Sequence, residues 1–92
     1  MNFDREKHRL KEKSKAQILR KTRRWQELLQ KGVCHYCQKS FPPEELTMDH
    51  VIPVSLGGHS DWNNVVVCCK NCNNLKKGMD PVAWVKFKKT LL

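Results

Sequence analysis

A chain of 92 residues makes one domain, near the lower end of what a hydrophobic core alone can hold together. At 39% hydrophobic and 29% charged residues, it calls for an additional staple, a disulfide or a metal. The start of the chain lacks the apolar run of a secretory leader, and no segment approaches a membrane span. The expected setting is therefore a reducing cytoplasm with no membrane partner.

The net charge of +9 is unevenly spread. Residues 1–31 carry eleven Lys/Arg against four Asp/Glu, and residues 32–92 carry seven against five. The second part also holds two CxxC pairs, Cys34/Cys37 and Cys69/Cys72, whose four thiolates around one Zn²⁺ would add about −2 to it, leaving the field to the N-terminal arm. A field of this kind suits a polyanion, of which nucleic acid is the commonest.

Residues 4–30 lack Gly and Pro and are rich in good helix formers, which predicts one long helix of roughly 40 Å. Ile18, Trp25 and Leu29, with Leu28 beside them, make a narrow apolar stripe that lets the second half dock. The first half has only Phe3 and Leu10, and is expected to stay mobile until it meets a partner. Gly32 ends the helix. A tight Cys34–Cys37 knuckle and a Pro42-Pro43 turn follow. Residues 47–54 read as a strand that Pro53 ends or places at an edge. Residues 55–64 form a polar loop, and Val65, Val66 and Val67 a second strand. Cys69 and Cys72 open a short helix that Gly78 stops. Asp80-Pro81 then starts a last helix to about Leu91, with Val82, Trp84 and Val85 as core candidates.

Cys34, Cys37, Cys69 and Cys72 form two CxxC pairs, and each pair can turn both sulfurs toward one ion. Four soft ligands are the set for one closed structural Zn²⁺ site. Buried small hydrophobes or a redox pair are the competing readings, but neither accounts for two matched pairs. The 31 residues between the pairs leave room for something to be built there. Cys68 is the odd thiol, expected in the core. His35 and Tyr36 are expected to shape the knuckle.

Between and after the knuckles run Asp49-His50-Val51-Ile52-Pro53, Gly57-Gly58, Asn64 before the Val run, and Cys69-x-x-Cys72-Asn73-x-x-Lys76. In this order and spacing the chain resembles the HNH endonuclease family from Cys34 to about Gly78, with Asn73 in place of the third motif histidine. The resemblance implies an α+β fold of ββα-metal type, in which a hairpin and a helix cradle a metal ion, with the long basic helix and a short C-terminal helix added. It divides the chain into a helical arm, 1–31, and a zinc-bound nuclease domain, 32–92, in a bacterial or phage-infected cytoplasm. It also implies that Asn64 is no ligand but ties down the loop and keeps the general base in line.

The residue types suit phosphodiester hydrolysis. A neutral imidazole at His50 can take the proton of an attacking water. The Asp49 carboxylate and the Asn73 carboxamide offer the oxygen ligands a hard cation prefers, Mg²⁺ or Mn²⁺. Adjacent strand residues point to opposite faces, so a bulge or strong twist is expected to bring Asp49 and His50 together. Each residue alone has a plainer reading: Asn73 as a helix-start cap, Asn64 as a loop residue, His50 as an ordinary partnered histidine. His59 could serve as a second base or substrate contact, though a loop histidine is more often inert, and His8 belongs to a solvated face. Lys76 and Lys77 are expected on the DNA backbone, as are Arg20, Lys21, Arg23 and Arg24 of the arm, which would hold double-stranded DNA with weak sequence preference. So small a chain would draw specificity from a second copy or a larger partner. The competing functions are a catalytically silent zinc module that binds nucleic acid, and an adaptor whose long helix docks a larger machine.

Overall fold

The computed structural model describes residues 4–91. Phe3, assigned above to the first helix, lies outside them. Helix α1 (Arg5–Arg20) is capped by Asp4, whose carboxylate accepts the Lys7 amide. The single helix expected over 4–30 is two helices, broken at Lys21 and Thr22 before α2 (Arg23–Lys31). The Thr22 hydroxyl accounts for the break: Oγ1 donates to the Leu19 carbonyl at 2.6 Å and accepts the Trp25 N–H at 3.1 Å. One side chain thus satisfies an open end of each helix. Trp25 is buried, whereas Ile18, expected on the same stripe, is 65% exposed. Gly32 ends α2 in the left-handed region at φ 69, where a Cβ would stand 2.7 Å from the Phe41 carbonyl oxygen.

Strand β1 (Leu46–His50) pairs antiparallel with β2 (Val65–Cys69), from Leu46 opposite Cys69 to His50 opposite Val65. The first strand ends three residues before Pro53. Beyond His50 the chain bends, then forms a 3-10 turn over Val54–Leu56. Leu46, Met48, Val65 and Val67 alternate inward and join Ala16, Trp25, Trp84 and four of the cysteines in one core. Cys68 lies fully buried there, as expected.

Helix α3 (Lys70–Lys76) starts at Cys69, whose sulfur accepts the Cys72 N–H, and packs on both strands. Helix α4 (Pro81–Thr90) starts at Asp80, whose carboxylate accepts the Ala83 N–H at 2.8 Å. Of its three core candidates only Trp84 is buried; Val82 and Val85 are 65% and 47% exposed. The helix meets the body along one line through Trp84 and Phe87, one turn apart, which turns both valines outward.

The first half of α1 is docked rather than mobile. It packs on the Val54–Leu56 turn, and the Glu12 carboxylate, fully buried, accepts the Ser60 N–H. The Ser60 hydroxyl donates in return to the Glu12 carbonyl at 2.7 Å. No helix among the described residues is long and apolar enough to cross a membrane.

Candidate active site and metal centre

The four knuckle cysteines converge. Their sulfurs all lie within 4.8 Å of one another, and Cys37 and Cys69 are 4.0 Å apart. Tetrahedral zinc with bonds of about 2.3 Å spaces its thiolates about 3.8 Å apart, so the cluster fits such an ion. Burial works to raise the Cys34 thiol, but hydrogen bonds from the backbone of Cys37, Cys69 and Tyr36 outweigh it and bring it down to about 7. Cys34 is thus the thiol of the cluster most ready to ionise, whereas burial pushes Cys69 and Cys72 up. The noncluster thiol of Cys68 is pushed up by burial and stays protonated.

Asp49 and His50 occupy the last two positions of β1. The strand stays in register with β2 through both, so the bulge expected to bring them together is absent. Their side chains leave on opposite faces, each to its own network. Asp49 turns toward the knuckle and α3. Its Oδ2 accepts the Tyr36 hydroxyl at 2.6 Å and pairs with Lys76 Nζ at 3.1 Å, while no hydrogen bond among the described residues reaches Oδ1. Burial, with the Asp49 charge adding to it, pushes the Tyr36 phenol up, so this hydroxyl keeps its proton to donate.

The expectation for Lys76 is corrected here. Its side chain is buried, and Nζ also donates to the His50 carbonyl at 3.1 Å. An ammonium committed to Asp49 beneath the surface is not placed to meet DNA phosphates. Lys77 remains exposed at the end of α3, in the left-handed conformation that terminates it. Asn73 stands three residues before Lys76, on the same side of α3. It is half-buried, and its carboxamide has no hydrogen bond among the described residues. Asp49 on β1 and Asn73 on α3 each carry an oxygen of the kind that a hard divalent cation prefers.

His50 turns toward the polar loop and α1. Its Nε2 lies 2.8 Å from Ser60 Oγ. The Ser60 hydroxyl has one proton and spends it on the Glu12 carbonyl, so toward His50 it can only accept. Nε2 therefore carries a proton, and Nδ1 carries the lone pair. Burial pulls the His50 imidazole below its ordinary value, helped by the Arg20 and Lys76 charges and opposed by Asp49 and Glu12, so the ring is neutral at physiological pH. His50 lines a cleft of about 230 Å³ with Arg9, Glu12, Lys13, Ala16, Arg20 and Val54. Three cations of α1 thus border the imidazole.

Asn64 holds the loop. It is buried, its Oδ1 accepts the Ile52 N–H at 2.8 Å, and its Nδ2 donates to the Ile52 and His59 carbonyls. Gly58 closes the same loop so tightly that a Cβ would stand 1.8 Å from the Ile52 carbonyl oxygen. Of the arm residues, Arg20, Lys21, Arg23 and Arg24 are all exposed. Arg23 pairs loosely with Glu27, and Arg24 lies 4.3 Å over the Trp62 ring. His8, expected on a solvated face, instead brings Nε2 within 2.8 Å of the Gly58 carbonyl.

Sequence reasoning missed Glu12, Ser60 and the role of Tyr36. The only signal was the solitary acid inside a basic stretch from Lys7 to Lys15; its partner lies 48 residues away.

A hairpin and a following helix, gathered about four converging thiols with an imidazole and a carboxylate at the end of the first strand, define a ββα module of nuclease type. The chain belongs to the HNH endonuclease family, whose sequence pattern matches residues 34–84, more than half of its length. No curated protein matches it. Membership implies a nucleic-acid substrate and a nuclease ancestry.

Proposed function

We propose that this chain hydrolyses phosphodiester bonds in double-stranded DNA, with His50 as general base. The observation that carries the reading is the neutral His50 ring, its Nε2–H tied to Ser60 and its Nδ1 left as the base, beside Arg9, Lys13 and Arg20. In this reading His50 Nδ1 takes the proton of the attacking water, and the Ser60 oxygen supports the imidazolium that forms. Arg9, Lys13 and Arg20 draw the phosphate to the end of β1, between the faces on which His50 and Asp49 lie. Asp49 Oδ1 and the Asn73 carboxamide oxygen would hold Mg²⁺ or Mn²⁺, while Tyr36 and Lys76 fix the carboxylate through its other oxygen. The bound cation would supply charge neutralisation at the phosphate and at the leaving 3′ oxygen. Asn64 keeps the loop, and with it Ser60, in place behind the base.

The four thiols would hold one structural Zn²⁺. Residues 1–31 would serve as the DNA arm, through Arg20, Lys21, Arg23 and Arg24, with residues 32–92 as the catalytic body and Lys77 at its edge. DNA would be held through phosphates with weak sequence preference, and a second copy or a larger partner would add selectivity.

A non-cleaving nucleic-acid module is favoured by one observation: the Lys76 ammonium already neutralises Asp49. Plasmid nicking in Mg²⁺ or Mn²⁺ decides between the two. Wild type should convert supercoiled to relaxed DNA, and His50→Ala should lose about 10²-fold or more of the rate. Equal cleavage by both proteins, or none by wild type in either metal, would remove the proposal.

A further inference from the structure

His8 and Glu12 stand four residues apart on α1, so they share one face of the helix. The loop beyond Gly58 lays His59 against them. One ligating atom from each of the three residues lies within 4.8 Å of the others. The rings of His8 and His59 meet edge to face, with centroids 5.0 Å apart.

The donor atoms already meet one another at spacings that an ion could bridge. Glu12 is a carboxylate with no solvent exposure. Its Oε1 accepts the Ser60 N–H and has Lys15 Nζ at 3.4 Å, while its Oε2 faces His59 Nδ1 at 3.3 Å. A tetrahedral ion with bonds of about 2.0–2.1 Å to nitrogen and oxygen spaces its ligands about 3.4 Å apart, the separation of that pair. The His8 Nε2 lies on the Gly58 carbonyl, which can only accept, so this nitrogen is the protonated one. A metal-ligating histidine commonly donates its other N–H to a carbonyl in this way.

We propose that His8, Glu12 and His59 form a second divalent-metal site, separate from the four cysteines and from Asp49 and Asn73, and suited to Zn²⁺. Two imidazoles and one carboxylate favour an ion of the Zn²⁺ or Ni²⁺ kind over Mg²⁺, which prefers oxygen ligands. The protein supplies three ligands, and water or a substrate oxygen completes the set. The ion would clamp α1 to the loop that carries Ser60, the residue beside His50. The proposal does not depend on DNA cleavage, because its readout is metal content.

The test is equilibrium dialysis of the folded, reduced chain against low micromolar Zn²⁺, followed by elemental analysis. Wild type should retain about two ions per chain, and His8→Ala and His59→Ala about one each. Asp49→Ala should stay at about two, which separates this site from the proposed catalytic one. Because His59 is 56% exposed at its side chain, its truncation spares the core, and circular dichroism checks that the variants are folded. Co²⁺ added to wild type holding a single equivalent of Zn²⁺ gives an independent reading. It should produce weak visible ligand-field bands without the near-ultraviolet thiolate charge transfer of the cysteine cluster. One ion in wild type, two ions in either histidine variant, or cobalt bands showing only thiolate character would overturn the proposal.

Discussion

Ser60→Ala separates the structural from the chemical work of one hydroxyl. Ser60 is 2% exposed and its Oγ makes two hydrogen bonds, to the Glu12 carbonyl at 2.7 Å and from His50 at 2.8 Å. At about 0.5–1.5 kcal/mol net for each bond, the variant should lose roughly 1–3 kcal/mol. In a domain of this size the melting temperature should fall by roughly 4–8 °C for each kcal/mol. The backbone contact through the Ser60 N–H is untouched, so α1 should stay docked. The effect on cleavage should exceed the effect on folding. With its tautomer and orientation no longer held, His50 should lose about 10–100-fold in rate, as when other outer partners of a functional histidine are removed. Rates measured well below the melting point isolate this term, and two-dimensional ¹⁵N spectra of the imidazole read the tautomer directly. Wild type should show Nε2–H. A wild-type ring protonated at Nδ1 alone, or a Ser60→Ala protein cutting at the wild-type rate, would refute the argument.

Other outcomes follow from the same geometry. Asn64→Ala strips three hydrogen bonds from a buried carboxamide and should cost roughly 2–4 kcal/mol in urea unfolding. The Glu12 carboxyl lies near 2 when folded against 4.5 ordinarily, so its stabilisation is complete above about pH 4.5 and lost as pH falls toward 2. Between those values the wild-type melting temperature should drop more steeply than that of Glu12→Gln. The acid limb of the cleavage profile should fall below the ordinary histidine value of 6.5, because burial lowers His50; a limb above 6.5 would count against His50 as the base. If the arm makes six phosphate contacts, log Kd for DNA should rise against log salt with a slope of about 5, measured by fluorescence anisotropy. A slope near zero would remove the arm from the interface.

Much of this was legible in residue spacing. The paired cysteines, the hairpin and the turns that bound it depend on local rules, and each was found within a few residues of its place. What escaped is tertiary. A threonine among helix formers does not announce a break; Thr22 makes one by capping both helix ends with its hydroxyl, and Trp25 lies buried just beyond it. Val82 and Val85 read as core by type, yet a helix touching the body along a single line has room inside for little beyond Trp84. Lys76 read as a surface cation because its partner is 27 residues earlier, and only the packing of α3 on β1 brings it to Asp49. The expected strand bulge is absent, because the pairing with β2 holds through Asp49 and His50, and the proposed site lies at the strand's end between their two faces.

The docking of Glu12 on Ser60 makes the arm a fitted part. If the helix only gathered DNA, any basic segment could replace it with a change in affinity alone. Its carboxylate and main-chain oxygen instead brace the loop behind His50, so a graft that matched charge but lacked an acid at that turn would leave the imidazole unsupported. Swapping arms between members of the family should therefore succeed only when the donor segment brings its own anchor.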